Sequence, residues 1–160
     1  MEYIRVGVIG IGNIGTMHAT NVYQNKIQGM KLTADFAQKD FTGMCFTNLV
    51  DFDMVYGHRN NAAGYAQALT EFDRWLGGFL DMLRDDDVLI ITADHGCDPG
   101  TPSTDHSREC TPLIVYGKNI KEGHNIGTIK SFAHIGATVA EYLGVEADLD
   151  APSLLPQILK

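Results

Sequence analysis

Residues 88–96 read VLIITADHG, and this short stretch decides the fold class of the chain. Val88–Thr92 is an unbroken apolar run, which is typical of a strand buried on both faces of a parallel sheet. Asp94, His95 and Gly96 follow directly, at the position where parallel sheets present their functional groups. The stretch therefore predicts an α/β domain whose chemistry lies beyond the carboxyl ends of its strands.

Working outward, the same signals recur on both sides of residues 88–96. Three more runs predict strands, near residues 4–9, 44–50 and 112–116, and Pro112 limits the last run to a strand start. Apolar residues at helical spacing predict helices over 16–27, 60–84, 129–143 and 154–159. Residues 29–42 fit either a second strand through MKLTAD or a helix. This alternation predicts a single domain, residues 1–160, built as a three-layer α/β sandwich around a mostly parallel sheet.

Composition and charge argue against some classes of protein, such as nucleic-acid-binding and membrane-spanning proteins. The chain has 160 residues and a formal net charge of -8, which argues against non-specific nucleic-acid binding. The apolar start is too short and too glycine-rich to cross a membrane. Three cysteines without CxxC spacing suggest reduced thiols, and hence a cytoplasmic protein.

Carboxylates and histidines follow the predicted strands in three clusters. They are Asp51 to His58 after residues 44–50, Asp94-His95 after residues 88–92, and Thr104-Asp105-His106 in the next loop. Such mixed oxygen and nitrogen donors suit Mn, Zn or Fe better than Ca or Mg. The alternative for each residue is a helix cap or a surface hydrogen bond. Three such clusters at one sheet edge favour a metal site.

The segments CFTNLVDFDMVYGHR (45–59), TADHGCDPGTPSTDHSRE (92–109) and TPLIVYG (111–117) resemble the closing half of the phosphopentomutase core, in the alkaline phosphatase superfamily. The resemblance runs from about residue 35 to 155. It implies an isomerase that moves phosphate on ribose or deoxyribose with two Mn²⁺ ions, or another divalent metal such as Zn²⁺, and a phosphorylated Thr. By this resemblance Asp53, His58 and His106 hold one metal, and Asp94 and His95 hold the other.

The chain also departs from that family pattern. No carboxylate lies between Glu2 and Asp35, where the family places a metal-binding Asp, and no motif marks a nucleophilic Thr. The chain is too short for the family's cap domain, so we expect no cap and no mutase activity. The catalytic residues stay unknown. Two alternatives remain, a residual metal-dependent phosphatase that binds phosphate or a sugar phosphate, and a folded scaffold without activity.

The opening YIRVGVIGIGNIGTMHA (3–19) resembles the first βα unit of inositol-dehydrogenase-like Rossmann oxidoreductases. Gly10, Gly12 and Gly15 form the dinucleotide fingerprint, and Asp35 follows at the spacing of a ribose-binding acid. This resemblance implies weak NAD binding, provided that residues 30–35 form a strand. Resemblance to two different families in one chain predicts a chimera, which consists of a Rossmann-like segment 1–34 and a phosphopentomutase-like segment 35–160. Its origin could be de novo or natural. A truncated core of this kind would expose apolar surface that a homodimer could cover.

Overall fold

The fold is seen in a computed structural model that describes residues 5–10 and 26–160. Its strands form one sheet in the order β2-β1-β3-β4, in which β1 pairs in parallel with β2 and β3, and β4 is antiparallel to β3. The strands are β1 (Arg5–Gly10), β2 (Gly43–Asn48), β3 (Asp87–Thr92) and β4 (Leu113–Tyr116). The prediction of an α/β fold around a mostly parallel sheet is confirmed.

Helical segments follow β1, β2 and β4 along the chain. They are α1 (Lys26–Ala37), a π-helix (Phe52–Tyr56), a 3₁₀ turn (Gly57–Arg59), α2 (Ala62–Leu80), α3 (Ala133–Tyr142) and α4 (Leu155–Ile158). Helix α2 starts later than the predicted residue 60 because Asn61 caps it, accepting a hydrogen bond from the Gly64 amide at 3.0 Å, and it ends at Leu80, before the predicted residue 84. Most of the predicted helix 16–27 lies outside the described residues.

Strand β3 is the centre of the core, and all six of its residues are buried. Leu89 and Ile91 pack with Phe52, Phe72 and Phe79 in one cluster. The alternate residues Val88 and Ile90 pack in a second cluster, with Ile120, Leu154, Leu155 and Ile158. Successive side chains of a strand point to opposite faces, so both faces of β3 carry core. Each fully buried aliphatic side chain contributes about 1.5–3 kcal/mol to folding.

The register of the sheet positions the site. Gly10 lies level with Asn48 on one side and with Thr92 on the other. The carboxyl ends of β2 and β3 therefore open at the same edge, one strand apart. The acidic and histidine clusters that follow them begin close together, as the sequence predicts.

Residues 29–42 take the helical alternative. Met30, Ala34 and Ala37, spaced at i, i+4 and i+7, pack against the core cluster of Phe72, and this apolar stripe explains the helix. The Thr33 hydroxyl also donates to the Thr47 hydroxyl at 2.8 Å, which joins α1 to β2. Asp35 is exposed on α1.

The strand alternative for residues 30–35, on which the expected NAD binding depended, is wrong because this segment is helical. Asp35 does not lie at the tip of a second strand, where a ribose-binding acid would be needed. Gly10 is the last residue of β1. Gly12 and Gly15 lie outside the described residues.

Several architectural expectations stay predictions: the three-layer sandwich, the single domain over 1–160, the missing cap and the homodimer. Apolar side chains are about half-exposed on both outer strands, Met44 and Phe46 on β2 and Ile114 and Tyr116 on β4. Among the described helices, none combines the length and the apolar character that crossing a bilayer requires.

Candidate metal centre

Asp53 is a buried carboxylate on the π-helix that follows β2. Its side chain is 1% exposed, and neither of its oxygens accepts a hydrogen bond from an N–H or O–H group, although the Cys97 thiol, a weak donor, lies close enough to interact with it. Burying an unsatisfied carboxylate is costly, so such groups are normally paired or bound to a metal. Among the described residues, Asp53 is therefore the carboxylate that a bound cation would stabilise most.

His58 faces Asp53 from the 3₁₀ turn. Its Nε2 lies 3.3 Å from Asp53 Oδ2, while its Nδ1 lies 2.5 Å from the Thr104 carbonyl oxygen. A carbonyl can only accept, so Nδ1 carries the proton and donates a hydrogen bond to the Thr104 carbonyl oxygen. In the neutral ring Nε2 then directs a lone pair at the carboxylate. A backbone carbonyl that fixes the tautomer in this way is typical of metal-binding histidines.

His106 completes a three-residue group. Its Nε2 lies 3.8 Å from Asp53 Oδ1, and the ligand atoms of Asp53, His58 and His106 all lie within 4.8 Å of one another. An isolated bridge between Gly96 and Ser107 draws the loop into place. A Cβ on Gly96 would lie 2.7 Å from the Ser107 carbonyl oxygen, so glycine is what allows this approach.

His95 and Asp94 lie beside this group. The His95 ring stacks on the His106 ring at 3.6 Å, and its buried Nε2 has no hydrogen-bond partner. Asp94 Oδ1 lies 3.5 Å from that nitrogen. The structure thus brings together all five residues for which the sequence predicts metal binding.

The arrangement fits a divalent cation. The lone pair of a neutral His58 and a carboxylate oxygen face each other at 3.3 Å, and they repel unless a proton or a metal ion lies between them. One carboxylate and two imidazoles suit a transition metal such as Mn²⁺ or Zn²⁺. Three protein ligands would leave open positions for water or a substrate oxygen.

Two neighbouring side chains respond to the charge of Asp53. Burial raises the pKa of the Cys97 thiol, and the Asp53 carboxylate raises it further. Burial also raises the pKa of the Tyr65 hydroxyl, with smaller contributions from Cys97 and Asp53. Sequence reasoning missed both residues. The one available signal was the position of Cys97, two residues after His95.

A groove of about 670 Å³ begins at Asp94 and His95 and extends along the loop 123–132. Its walls mix polar side chains, including His124 and Lys130, with apolar ones such as Ile126 and Phe132. The groove is therefore wide enough to admit a small polar molecule next to the metal-ligand group.

Comparison with known proteins gives the family. The model of the metalloenzyme superfamily matches residues 9–147. A phosphopentomutase of Lachnoclostridium phytofermentans is 50% identical over 96% of this chain and 41% of its own length. Those of Acetivibrio thermocellus and Carboxydothermus hydrogenoformans are 53% and 54% identical, over 92% and 87% of this chain and 38% and 37% of their own lengths. The chain spans about two fifths of the length of these relatives.

These matches also bear on the expected join between two families. The matched region begins at residue 9 and so includes most of the segment 1–34. The L. phytofermentans relative leaves only about 4% of the chain unaligned. The Rossmann-like origin of the opening therefore gains no support, whereas the phosphopentomutase resemblance does. On this evidence the chain belongs to the metalloenzyme superfamily.

Proposed function

We propose that this chain provides the metal-holding part of a phosphopentomutase-type phosphoryl-transfer site. Asp53, His58 and His106 would hold one divalent ion, and Asp94 and His95 would supply ligands to a second. The observation that carries the proposal is the buried Asp53 carboxylate, which has no N–H or O–H hydrogen-bond partner and lies 3.3 Å from His58 Nε2.

The surrounding residues would keep this site in shape. The Thr104 carbonyl holds the ring orientation of His58, and the His95 ring supports His106 from one side. A bound divalent ion would supply charge stabilisation for phosphoryl transfer. The adjoining groove, with Lys130 and His124 in its walls, would receive the phosphate or sugar phosphate.

We expect metal binding by the chain on its own, without mutase turnover. Among the described residues, Asp94 and His95 supply two ligands toward a second ion, and none is identified as a nucleophile. Covalent phosphoryl transfer needs an activated nucleophile. Slow hydrolysis of an activated phosphoester is the most that three ligands and a bound water would support, and an inactive scaffold is the alternative.

Calorimetry with Mn²⁺ and with Zn²⁺ tests the metal site. We expect His106→Ala to weaken binding at least tenfold, because it removes one of three ligands. Asp105→Ala is the matched control, since Asp105 is exposed in the same loop as His106 and belongs to no ligand group among the described residues. Equal affinity of the wild type and His106→Ala would contradict the assignment.

Activity assays separate the three functional outcomes. Nitrophenyl phosphate hydrolysis with added Mn²⁺ should be slow and should disappear in His106→Ala if a residual phosphatase is present. Conversion of ribose 1-phosphate at an enzyme-like rate would show that the chain is a complete mutase. Metal binding without either activity would leave the scaffold alternative.

A further inference from the structure

Gly57 and Cys97 meet at an unusually close contact behind the metal-ligand group. A Cβ built on Gly57 would lie 2.2 Å from Cys97 Sγ and 3.1 Å from the Phe52 carbonyl oxygen. The backbone of Gly57 is ordinary right-handed helix, with φ -60° and ψ -62°. Any residue could adopt that conformation, so the requirement for glycine comes from these contacts, above all the one with the sulfur, and not from the backbone angles.

This contact joins the two parts of the chain that carry the ligands. Gly57 directly precedes His58 and follows the π-helix of Asp53. Cys97 follows His95 by two residues and opens the loop that leads to His106. The Gly57 Cβ position is also 3.8 Å from Asp53 Oδ1, which places Cys97 Sγ within about 6 Å of that oxygen.

We propose that Cys97 and Gly57 are positioning residues whose contact sets the spacing between the Asp53–His58 segment and the loop of His95 and His106. This inference rests on the proposed function, in which those residues hold a divalent ion. Cys97 itself is not assigned as a ligand, because its sulfur does not belong to the described group of ligand atoms within 4.8 Å.

The distances give the size of the effect. Ordinary carbon contacts begin near 3.4 Å, so a methyl group on Gly57 must be separated from the sulfur by a further 1.2 Å or so. Metal ligands tolerate errors of only about 0.2 Å in their distances. If the backbone segments take up even a third of that displacement, the site no longer fits its ion.

A double-mutant cycle tests the contact. The variants are Gly57→Ala, Cys97→Ala and the two combined, with Gly77→Ala as control because a Cβ on Gly77 meets no atom within 4 Å. We expect Gly57→Ala to weaken Mn²⁺ binding at least tenfold in calorimetry. The double variant should recover most of that loss, since the new methyl group takes the space that the sulfur leaves. Gly77→Ala should bind like the wild type.

A metal-free measurement keeps this test separate from that of the proposed function. In chelator, the His58 ring signals in ¹H–¹⁵N spectra should shift in Gly57→Ala and return toward the wild type in the double variant. Wild-type protein that binds no Mn²⁺ would refute the proposed function, while the ring signals would still decide the contact. The inference would be overturned if Gly57→Ala changed neither the Mn²⁺ affinity nor the His58 ring signals. It would also be overturned if the double variant bound Mn²⁺ as weakly as Gly57→Ala does.

Discussion

Replacing Asp53 with asparagine should raise the stability of the metal-free protein while it removes metal binding. In the absence of metal, the buried carboxylate has no N–H or O–H hydrogen-bond partner, and its Oδ2 lies 3.3 Å from His58 Nε2, the nitrogen that carries no hydrogen when the ring is neutral and Nδ1 donates to Thr104. Asparagine has the same shape and no charge, and its amide can donate to that nitrogen. The variant therefore removes an unpaired buried charge and satisfies a neighbour.

The structure sets the expected magnitudes. An unsatisfied buried polar group costs about 1–3 kcal/mol, so Asp53→Asn should gain a stability of about 2 kcal/mol in chelator. For a chain of this length that gain raises the Tm by about 4–8 °C. Mn²⁺ at a hundred times its Kd should stabilise the wild type by about 2.7 kcal/mol and the variant by nothing. The order of the two proteins should therefore reverse when metal is added.

Thermal unfolding in EDTA and in Mn²⁺ measures both effects. Asp105→Asn is the matched control, because Asp105 is an exposed carboxylate in the loop next to His106, and it should change neither value. An Asp53→Asn protein that is less stable than the wild type in EDTA would refute the reasoning. It would mean that protonated histidines already compensate the carboxylate in the metal-free protein.

Three further predictions follow from the described contacts. Burial raises the pKa of Tyr142 above that of an unfolded tyrosine, so stability should fall as pH rises above about 10. Tyr142→Phe should show a smaller fall, because the raised pKa values of Tyr65 and Cys97 still contribute, and it should lose about 0.5–1.5 kcal/mol at pH 7 with the hydrogen bond to the Asp86 carbonyl; urea unfolding at pH 7 and above about pH 10 measures both. The pKa of Cys97 should drop in Asp53→Asn, although burial should keep it above the ordinary value of a thiol. The rate of alkylation as a function of pH, in a variant that lacks the other two cysteines, measures this pKa, and an unchanged pKa would contradict the prediction. Gly96→Ala should push the loop away from Ser107 and weaken Mn²⁺ binding at least tenfold, and wild-type affinity would count against the role of that approach.

Much of the fold was predictable because the strands carry strong local signals. The run VLIIT is buried on both faces, and the structure places β3 at Asp87–Thr92, within one residue of the predicted 88–92. The helical spacing from Tyr65 to Leu83 likewise located α2. The ends of these elements were less predictable, because caps such as Asn61 act through single hydrogen bonds.

Residues 29–42 show where local signals fail. The segment MKLTAD has the residues of a strand, and its periodicity did not distinguish strand from helix. The outcome depends on tertiary packing of Met30, Ala34 and Ala37 against the core, which no local propensity contains. The position of Asp35, and with it the expected ribose contact, depended on that packing.

The sequence predicted which acid and histidine side chains lie together, and not the contacts that support them. Acid and histidine residues after two strands are visible in the sequence, and the parallel register brings them together. The supports are a backbone carbonyl at Thr104, a ring stack and the contact of Gly57 with Cys97. Such contacts depend on loop geometry, and no spacing rule predicts them.

The π-helix of Phe52–Tyr56 also determines the direction in which His58 points relative to Asp53. It is wider than an α-helix, and the amides of Gly57 and Asn61 reach back five residues, to the carbonyls of Phe52 and Tyr56. Each residue of an α-helix advances the chain by about 100°. Deleting one residue here would leave a shorter, regular turn and swing His58 by about that angle away from Asp53, with the composition of the ligand set unchanged. A single-residue deletion could therefore disable the centre without removing any ligand.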